Sequence, residues 1–367
     1  MITQTTPNTI MTSNTPATTA SAAAATAQGL VIASSKGQSP QWKMELRNAV
    51  TSSGELLKLL DLDTSPLADA VTAKSPFPLR APLSFVARME KGNPDDPLLK
   101  QVLPLISEEV PVPGFSADPL MENAYNPTPG VIHKYQGRVL LISTPVCAIN
   151  CRYCFRRHFP YGDNNPGKRQ WLESLDYIRG DTSIREVILS GGDPLATDDE
   201  HLSWLVGQLD AIPQLKRLRI HSRLPVVIPS RINDDCLAWM LKSRLKLSMV
   251  VHINHGNEIN HEVSAAIARL RTQGIMVFNQ SVLLKGINDN TETLIELSEK
   301  LFDAGIVPYY LHTLDPVAGA GHFHCDTPAA LTLYRELQRQ LPGYLLPKLV
   351  RDVPGTSSKL IIVPQNP

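Results

Sequence analysis

The chain has 367 residues, 35 Lys+Arg against 35 Asp+Glu, and 43% hydrophobic residues; that length buries a sizeable core and admits one large domain plus a smaller one, or a single α/β barrel. The balanced charge argues against a nucleic-acid-binding surface, and no apolar run is long enough to cross a bilayer. The start, "MITQTTPNTIMTSN", has neither a basic segment leading into an apolar stretch nor the arginines of an import peptide, so the expected compartment is the cytoplasm, where clustered cysteines bind metal or do chemistry more often than they form disulfides.

Residues 1–40 are rich in Thr, Ala, Ser and Asn, with the low-complexity run "TASAAAATA". Such a segment buries too little apolar surface to offset its chain entropy, so a disordered tail is expected. "WKMELRNAVTSSGELLKLLDL" (42–62) has helical spacing, with Ser53 as the N-cap of its second half. Proline-punctuated segments follow to about Thr128, and residues 41–134 read as a mostly helical N-terminal region.

From Tyr135 short apolar, β-branched runs recur: "RVLLIST", "REVILSGGD", "RLRIHSR", "KLSMVVHIN", "GIMVFNQSVLL" and "GIVPYYLHTL". Helical stretches such as "DDEHLSWLVGQLDAI" separate them. This alternation predicts an α/β fold with a parallel sheet, a partial TIM barrel of about six (β/α) units over 135–350. A doubly wound open sheet has a similar sequence texture. Polar or reactive residues close the predicted strands: Gly191, Gly192 and Asp193; His221 and Ser222; His252 and Asn254; Asn279 and Gln280; His312 and Asp315. The C-terminal strand ends are where α/β barrels carry their chemistry. Residues 351–367 form a closing loop and tail.

"CAINCRYCFRRHF" places Cys147, Cys151 and Cys154 just after the first of these strands. Thiolates at C-x3-C-x2-C spacing suit zinc or an iron–sulfur cluster. No fourth cysteine is near, since the next are Cys236 and Cys325. Three cysteines on a four-iron cluster leave one iron open. In this strand context the motif resembles the radical S-adenosylmethionine superfamily. The resemblance implies a [4Fe–4S] cluster whose open iron chelates S-adenosylmethionine, and an external electron donor. "LSGGDPL" ends the second strand of the series, and its two glycines would let a ligand approach the backbone. The resemblance assigns Ser190, Gly191, Gly192 and Asp193 to cofactor binding, with His252 and Gln280 from later strand ends.

Near the end stands "LVRDVPGTSSKLIIV". Small residues and exposed amides suit a phosphate, and the amine of Lys359 suits a Schiff base with pyridoxal phosphate. By itself a lysine beside a turn is as readily a solvated surface residue. The ordered motifs "GVIHKYQGRVLLISTPVCAINCRYCFRR", "LSGGDPL", "RLPVVIPSRI", "VHINHGNE", "NQSVLLKGIND", "VPYYLHTLD" and Asp-x-Pro-Gly-x3-Lys together resemble the lysine 2,3-aminomutase family over about residues 85–363. That resemblance implies a radical isomerase that moves the amino group of L-lysine from C2 to C3. Lys359 would bind pyridoxal phosphate, with Tyr135 and Arg138 in its pocket. Arg156 would pair with the substrate carboxylate, and Asp315 and Asp352 would grip the distal ammonium.

Within the family the loop "PGTSSK" and the absence of further cysteines after it resemble the branch serving translation elongation factor P. The product there is (R)-β-lysine, which a separate lysyl ligase attaches to that factor. Asp352 stands where a glutamate is common in the branch. The alternatives are a relative that releases free β-lysine, a radical activase of a partner protein, which would need neither Lys359 nor the two acids, and a structural zinc protein sharing only the thiols. Oligomeric state, a homo-oligomer included, is not read from the sequence. In "GHFHC", strict alternation would put His322 and His324 on one face of an extended segment beside Cys325, but no further ligand is obvious, so a metal site is not the favoured reading. Cys236 reads as a small buried residue, and "TDDEHL" as a helix start.

Overall fold

The structure, a computed structural model, describes residues 39–72, 75–164 and 167–363. Most of the tail expected over 1–40 lies outside the described residues. Residues from Ser39 onward form one compact unit.

The six expected strands all form, as β2 (Arg138–Thr144), β3 (Glu186–Gly191), β4 (Arg217–His221), β5 (Lys246–Val251), β6 (Met276–Val282) and β7 (Val307–His312). Three more were not expected: β1 (Val131–Tyr135), β8 (Lys348–Arg351) and β9 (Leu360–Ile361). The nine run in sequence order across one sheet, parallel from β2 to β8, with β1 and β9 antiparallel at the two ends. No pairing joins β1 to β9, so the partial barrel stays open. The sheet therefore begins at Val131 rather than at 135. The cause is a hairpin: Tyr135 pairs with Arg138 across the Gln136–Gly137 turn, and Gly137 has φ 76°, which glycine adopts without strain. Likewise β9 carries part of the segment expected as a closing loop and tail into the sheet, because Leu360 and Ile361 pair with Arg351 and Val350 of β8.

Alternate strand residues face the helices, and these are the core: Val139 and Leu141, Val187 and Leu189, Leu218 and Ile220, Met249 and Val251 are all buried. The covering helices are α5 (Lys168–Gly180), α6 (Asp199–Asp210), α8 (Asp234–Lys242), α9 (His261–Thr272), α10 (Thr291–Asp303) and α11 (Thr327–Gln340). Four start on side-chain caps: Asn233, Asn260, Asn290 and Asp326 accept from the backbone N–H three residues on. These four turns thus have a built-in start signal. Cys236 is buried in α8, and "TDDEHL" opens α6.

The N-terminal region folds as short helices against the barrel: α1 (Gln41–Arg47), α2 (Ser53–Leu59), α3 (Leu83–Val86) and α4 (Pro97–Lys100). The helix expected over 42–62 breaks at 48–52 because Val50 pairs its backbone with Ala81. The cap of the second half is Ser52, not Ser53. This region docks on the loop after β4, which carries the one-turn helix α7 (Leu224–Val227). Arg88 and Ser84 donate to the carbonyls of Val226 and Val227 at 2.7 and 2.6 Å, and the Arg231 guanidinium lies 4.4 Å from the buried Trp42 ring. No helix among the described residues is long and apolar enough to cross a membrane.

Candidate active site

The strand residues that do not face the helices line a cavity of about 790 Å³ inside the open barrel. That is near the upper end for a small-molecule site. The cysteine loop after β2 forms one part of the wall, and Tyr135, Arg138, Asp315, Asp352 and Lys359 form another.

Residues of the N-terminal region hold the cysteine loop. Arg152, fully buried between two cysteines, donates from Nε to Glu108 at 2.7 Å and from NH1 to the Phe77 carbonyl at 2.7 Å. Arg157 donates to Glu108 at 2.6 Å and to the carbonyls of Arg152 and Gly319 at 3.1 and 3.0 Å. Burial alone would raise the Glu108 pKa; the two guanidinia outweigh it and hold the carboxyl below its usual range. Arg152 within the cysteine loop and Arg157 in the basic run after it are therefore structural, not part of a solvated patch.

Cys147, Cys151 and Cys154 are free thiols that all line the cavity. Burial, then the neighbouring thiols, push Cys147 well up, and burial with Cys151 pushes Cys154 up to about 11. Both stay protonated until a cation displaces the protons. Among the described residues no three His, Cys, Asp or Glu side chains converge on one point as a single ion requires. Three soft thiolates on one wall suit an iron–sulfur cluster.

At the end of β3, a Cβ on Gly191 would sit 2.7 Å from Ile142 Cγ2, and one on Gly192 only 2.5 Å from the Val146 carbonyl oxygen. The glycines are needed for the approach of the β2 end, not only for a ligand. Replacing Gly192 by alanine is expected to cost about 1–3 kcal/mol; a lower urea midpoint with an unchanged slope would report it. Asp193 lines the cavity and also ties strand ends together. Its carboxylate accepts from the Ser222 hydroxyl at 2.6 Å and from the backbone N–H of Arg223, Leu224 and Leu195 at 2.7, 3.1 and 3.1 Å. It is a strut between strand ends, and its oxygens are already occupied.

Across the cavity Lys359 pairs with Asp352, whose other oxygen accepts from the Tyr135 hydroxyl. Burial opposes ionisation of Asp352, but Lys359 and Tyr135 hold its pKa below the usual value. Asp315 has no such partner: burial and the Asp352 charge push it up to about 7, against the opposing pull of Lys359. The Arg138 guanidinium lies 4.7 Å from the Tyr135 ring. Lys134 also lines this wall, a cation that sequence reasoning missed although it stands in the β1 hairpin motif. In the lysine loop Gly355, φ 82°, donates its N–H to the Tyr125 hydroxyl at 2.9 Å. Buried Nε2 atoms of His221 and His312, both lining the cavity, have no partner in the protein. A lysine amine, flanking cations and unpaired ring nitrogens fit an anionic, ring-bearing aldehyde such as pyridoxal phosphate.

Arg156 lies on the cavity wall but is not free. It forms a two-point ion pair with buried Glu122 at 2.7 and 2.8 Å and donates to Ser190 Oγ at 3.1 Å. Burial would lower its pKa, yet the Glu122 charge raises it, so it is always charged. Glu122 was missed; the one available signal was that a buried arginine needs an acid, and the acid lies 34 residues away in sequence. His252, at about 4, and His312, at about 3, are neutral because burial disfavours their charged forms. His252 and Gln280 both line the cavity. The His322 region differs from expectation. Gly321–Phe323 is a 3-10 turn rather than an extended segment, His324 packs edge-on against Phe115, and no three-ligand group forms among the described residues.

Residues 141–298 match the Radical SAM superfamily. Over 319 residues the chain is 51% identical to the L-lysine 2,3-aminomutase of Escherichia coli, covering 87% of this chain and 93% of that protein. It is 47% identical to the L-lysine 2,3-aminomutase of Haemophilus influenzae, over 87% of this chain and 95% of that one. Against the L-lysine 2,3-aminomutase of Clostridium subterminale identity is 33%, over 88% of this chain and 78% of that one.

Proposed function

Because the chain belongs to the lysine 2,3-aminomutase family, we propose that it converts L-lysine to (R)-β-lysine, and that the product passes to a ligase that attaches it to elongation factor P. The protein is a radical isomerase that uses a [4Fe–4S] cluster, S-adenosylmethionine and pyridoxal phosphate. The observation that carries the reading is that a single cavity has the three thiols on one part of its wall and Lys359 with two acids on another.

When bound, the cluster and S-adenosylmethionine supply one-electron chemistry, and the pyridoxal aldehyde carries the migrating amine. Cys147, Cys151 and Cys154 hold the iron. Lys359 would hold the aldehyde through its Nζ and, on giving it up, would take the protons that the substrate amine sheds; Asp352, paired with that nitrogen, is placed to relay them and is again ionised once they have passed. With Lys359 neutral, the carboxylates of Asp352 and Asp315 match the distal ammonium of lysine. Arg156 holds the substrate carboxylate through NH1, the edge that Glu122 leaves open. Lys134 and Arg138 supply positive charge for the cofactor phosphate. Support for the elongation factor P branch comes from the serine-bearing loop "PGTSSK" in place of a glycine run.

The test is an anaerobic assay of reconstituted protein with S-adenosylmethionine, a reductant, and lysine, glutamate or alanine. Chiral analysis should find (R)-β-lysine from lysine alone. No β-lysine from protein carrying its full iron and pyridoxal complement would reject the reading.

A further inference from the structure

A buried arginine that opens the motif "RLPVVIPSRI", and has so far been given no role, aims at a cysteine of the loop. Arg223 follows β4, and its backbone N–H is tied to Asp193 at 2.7 Å. Its NH1 lies 2.8 Å from Cys151 Sγ. Its NH2 donates to Gln101 Oε1 at 2.6 Å and to Glu258 Oε2 at 2.9 Å. Those two acceptors are themselves fixed. Gln101 Nε2 donates to Glu258 at 3.1 Å, and Asn254 donates to Gln101 from its side chain at 3.1 Å and to Glu258 from its backbone at 2.8 Å. The rings of Phe85 and Tyr153 lie 5.3 and 5.8 Å from the guanidinium carbon. The head group is thus held by hydrogen bonds at one nitrogen and by rings beside it, with NH1 directed at the sulfur.

The other two cysteines are treated differently. Arg156 and Arg157 follow Cys154 in sequence, yet their guanidinia turn to Glu122, Ser190, Glu108 and backbone carbonyls. The charged donor is therefore specific to the Cys151 corner.

We propose that Arg223 is a positioning residue that raises the reduction potential of the iron–sulfur cluster by donating a charged hydrogen bond to the Cys151 sulfur. The proposal rests on the reading that the three cysteines hold a [4Fe–4S] cluster. Reduction adds one electron from the external donor and makes the cluster with its thiolates one unit more negative. No bond forms or breaks at Arg223, and no proton leaves it. A fixed cation and an N–H at a ligand sulfur stabilise the more negative state. The effect is strong at a buried site, where solvent does not screen it. Glu258 offsets part of this charge, but it binds the nitrogen that does not contact sulfur. The Gln101–Asn254–Glu258 set fixes the guanidinium so that the donor does not swing away when the sulfur gains charge.

The experiment uses the full chain, reconstituted anaerobically, without S-adenosylmethionine or substrate. Iron content and an EPR-monitored redox titration are measured for wild type, Arg223→Met and Arg223→Lys. At a fixed potential the ratio of reduced to oxidised cluster in Arg223→Met should fall about tenfold, which is 59 mV for a one-electron couple. Arg223→Lys, which keeps charge but loses the fork, should fall between. If Arg223→Met retains no iron, Arg223→Lys and Glu258→Gln decide the matter. The latter leaves the guanidinium uncompensated and should shift the midpoint upward. A wild-type midpoint in the variants that retain iron overturns the proposal. So does loss of iron in all three, because the residue would then act in building the loop. A wild-type protein without a four-iron signal would reject the cluster assignment itself, a separate outcome.

Discussion

Replacing Lys359 by alanine is expected to lower lysine turnover by roughly 10³-fold or more and to remove the pyridoxal absorbance, with iron content unchanged. The reason lies in the separation of the two halves of the site. Lys359 and Asp352 close one side of the cavity, while the three thiols occupy the loop after β2. Loss of one amine should therefore leave the iron site intact. A spectrum recorded before and after cofactor removal checks the first half, and iron analysis the second. If the absorbance persists in the alanine variant, another amine holds the cofactor and the assignment of Lys359 fails. The same variant also strips Asp352 of its cation. Its carboxyl then keeps the Tyr135 hydroxyl and the Lys134 charge against the burial that disfavours its own charge, so its pKa should rise.

Replacing Asp315 by asparagine is expected to raise KM for lysine by about 30-fold, the equivalent of about 2 kcal/mol for a lost buried charge pair, with a smaller change in kcat. Activity on norleucine, which lacks the distal ammonium, should change little, so the preference for lysine collapses. The wild-type enzyme should also show a pH effect. Asp315 is pushed up to about 7 in the free site, and only its ionised form attracts an ammonium. Between pH 8 and pH 6 the KM for lysine should therefore rise about tenfold, and Asp315→Asn should abolish that dependence. The same shift bears on stability. The folded-state pKa lies above the ordinary value of 3.8. Its contribution is therefore fully present below that ordinary value and is lost as pH rises through about 7. A KM for lysine that is flat from pH 6 to 8 would remove Asp315 from ammonium recognition.

The same side chains show why some roles are harder to see than others. Cys147, Cys151 and Cys154 announce themselves because their spacing is local. Arg156 and Asp193 also stand in local motifs, yet the structure changes what can be said of both. Arg156 reaches the cavity already paired with Glu122, and Asp193 accepts four hydrogen bonds that tie the β3 end to the β4 end. Gly192 looked like a gap left for a ligand, and it is also where two backbone segments meet. In each case the motif identifies a residue type, whereas its job depends on which distant partner the fold delivers.

The sequence by itself determined the alternation of strands and helices and the triad of thiols, because both are carried by neighbours along the chain and by periodicity. The family resemblance over most of the chain came from motifs of the same local kind. Only the tertiary structure decided that β1, β8 and β9 extend the sheet, since short strands are stabilised by partners they pair with and not by their own sequence. Only it brought Tyr135 to Asp352, Glu122 to Arg156, and Arg223 to Cys151. These are contacts between buried charges or donors far apart in sequence, and low-dielectric burial makes an unpaired charge costly enough that the fold must supply each with a partner.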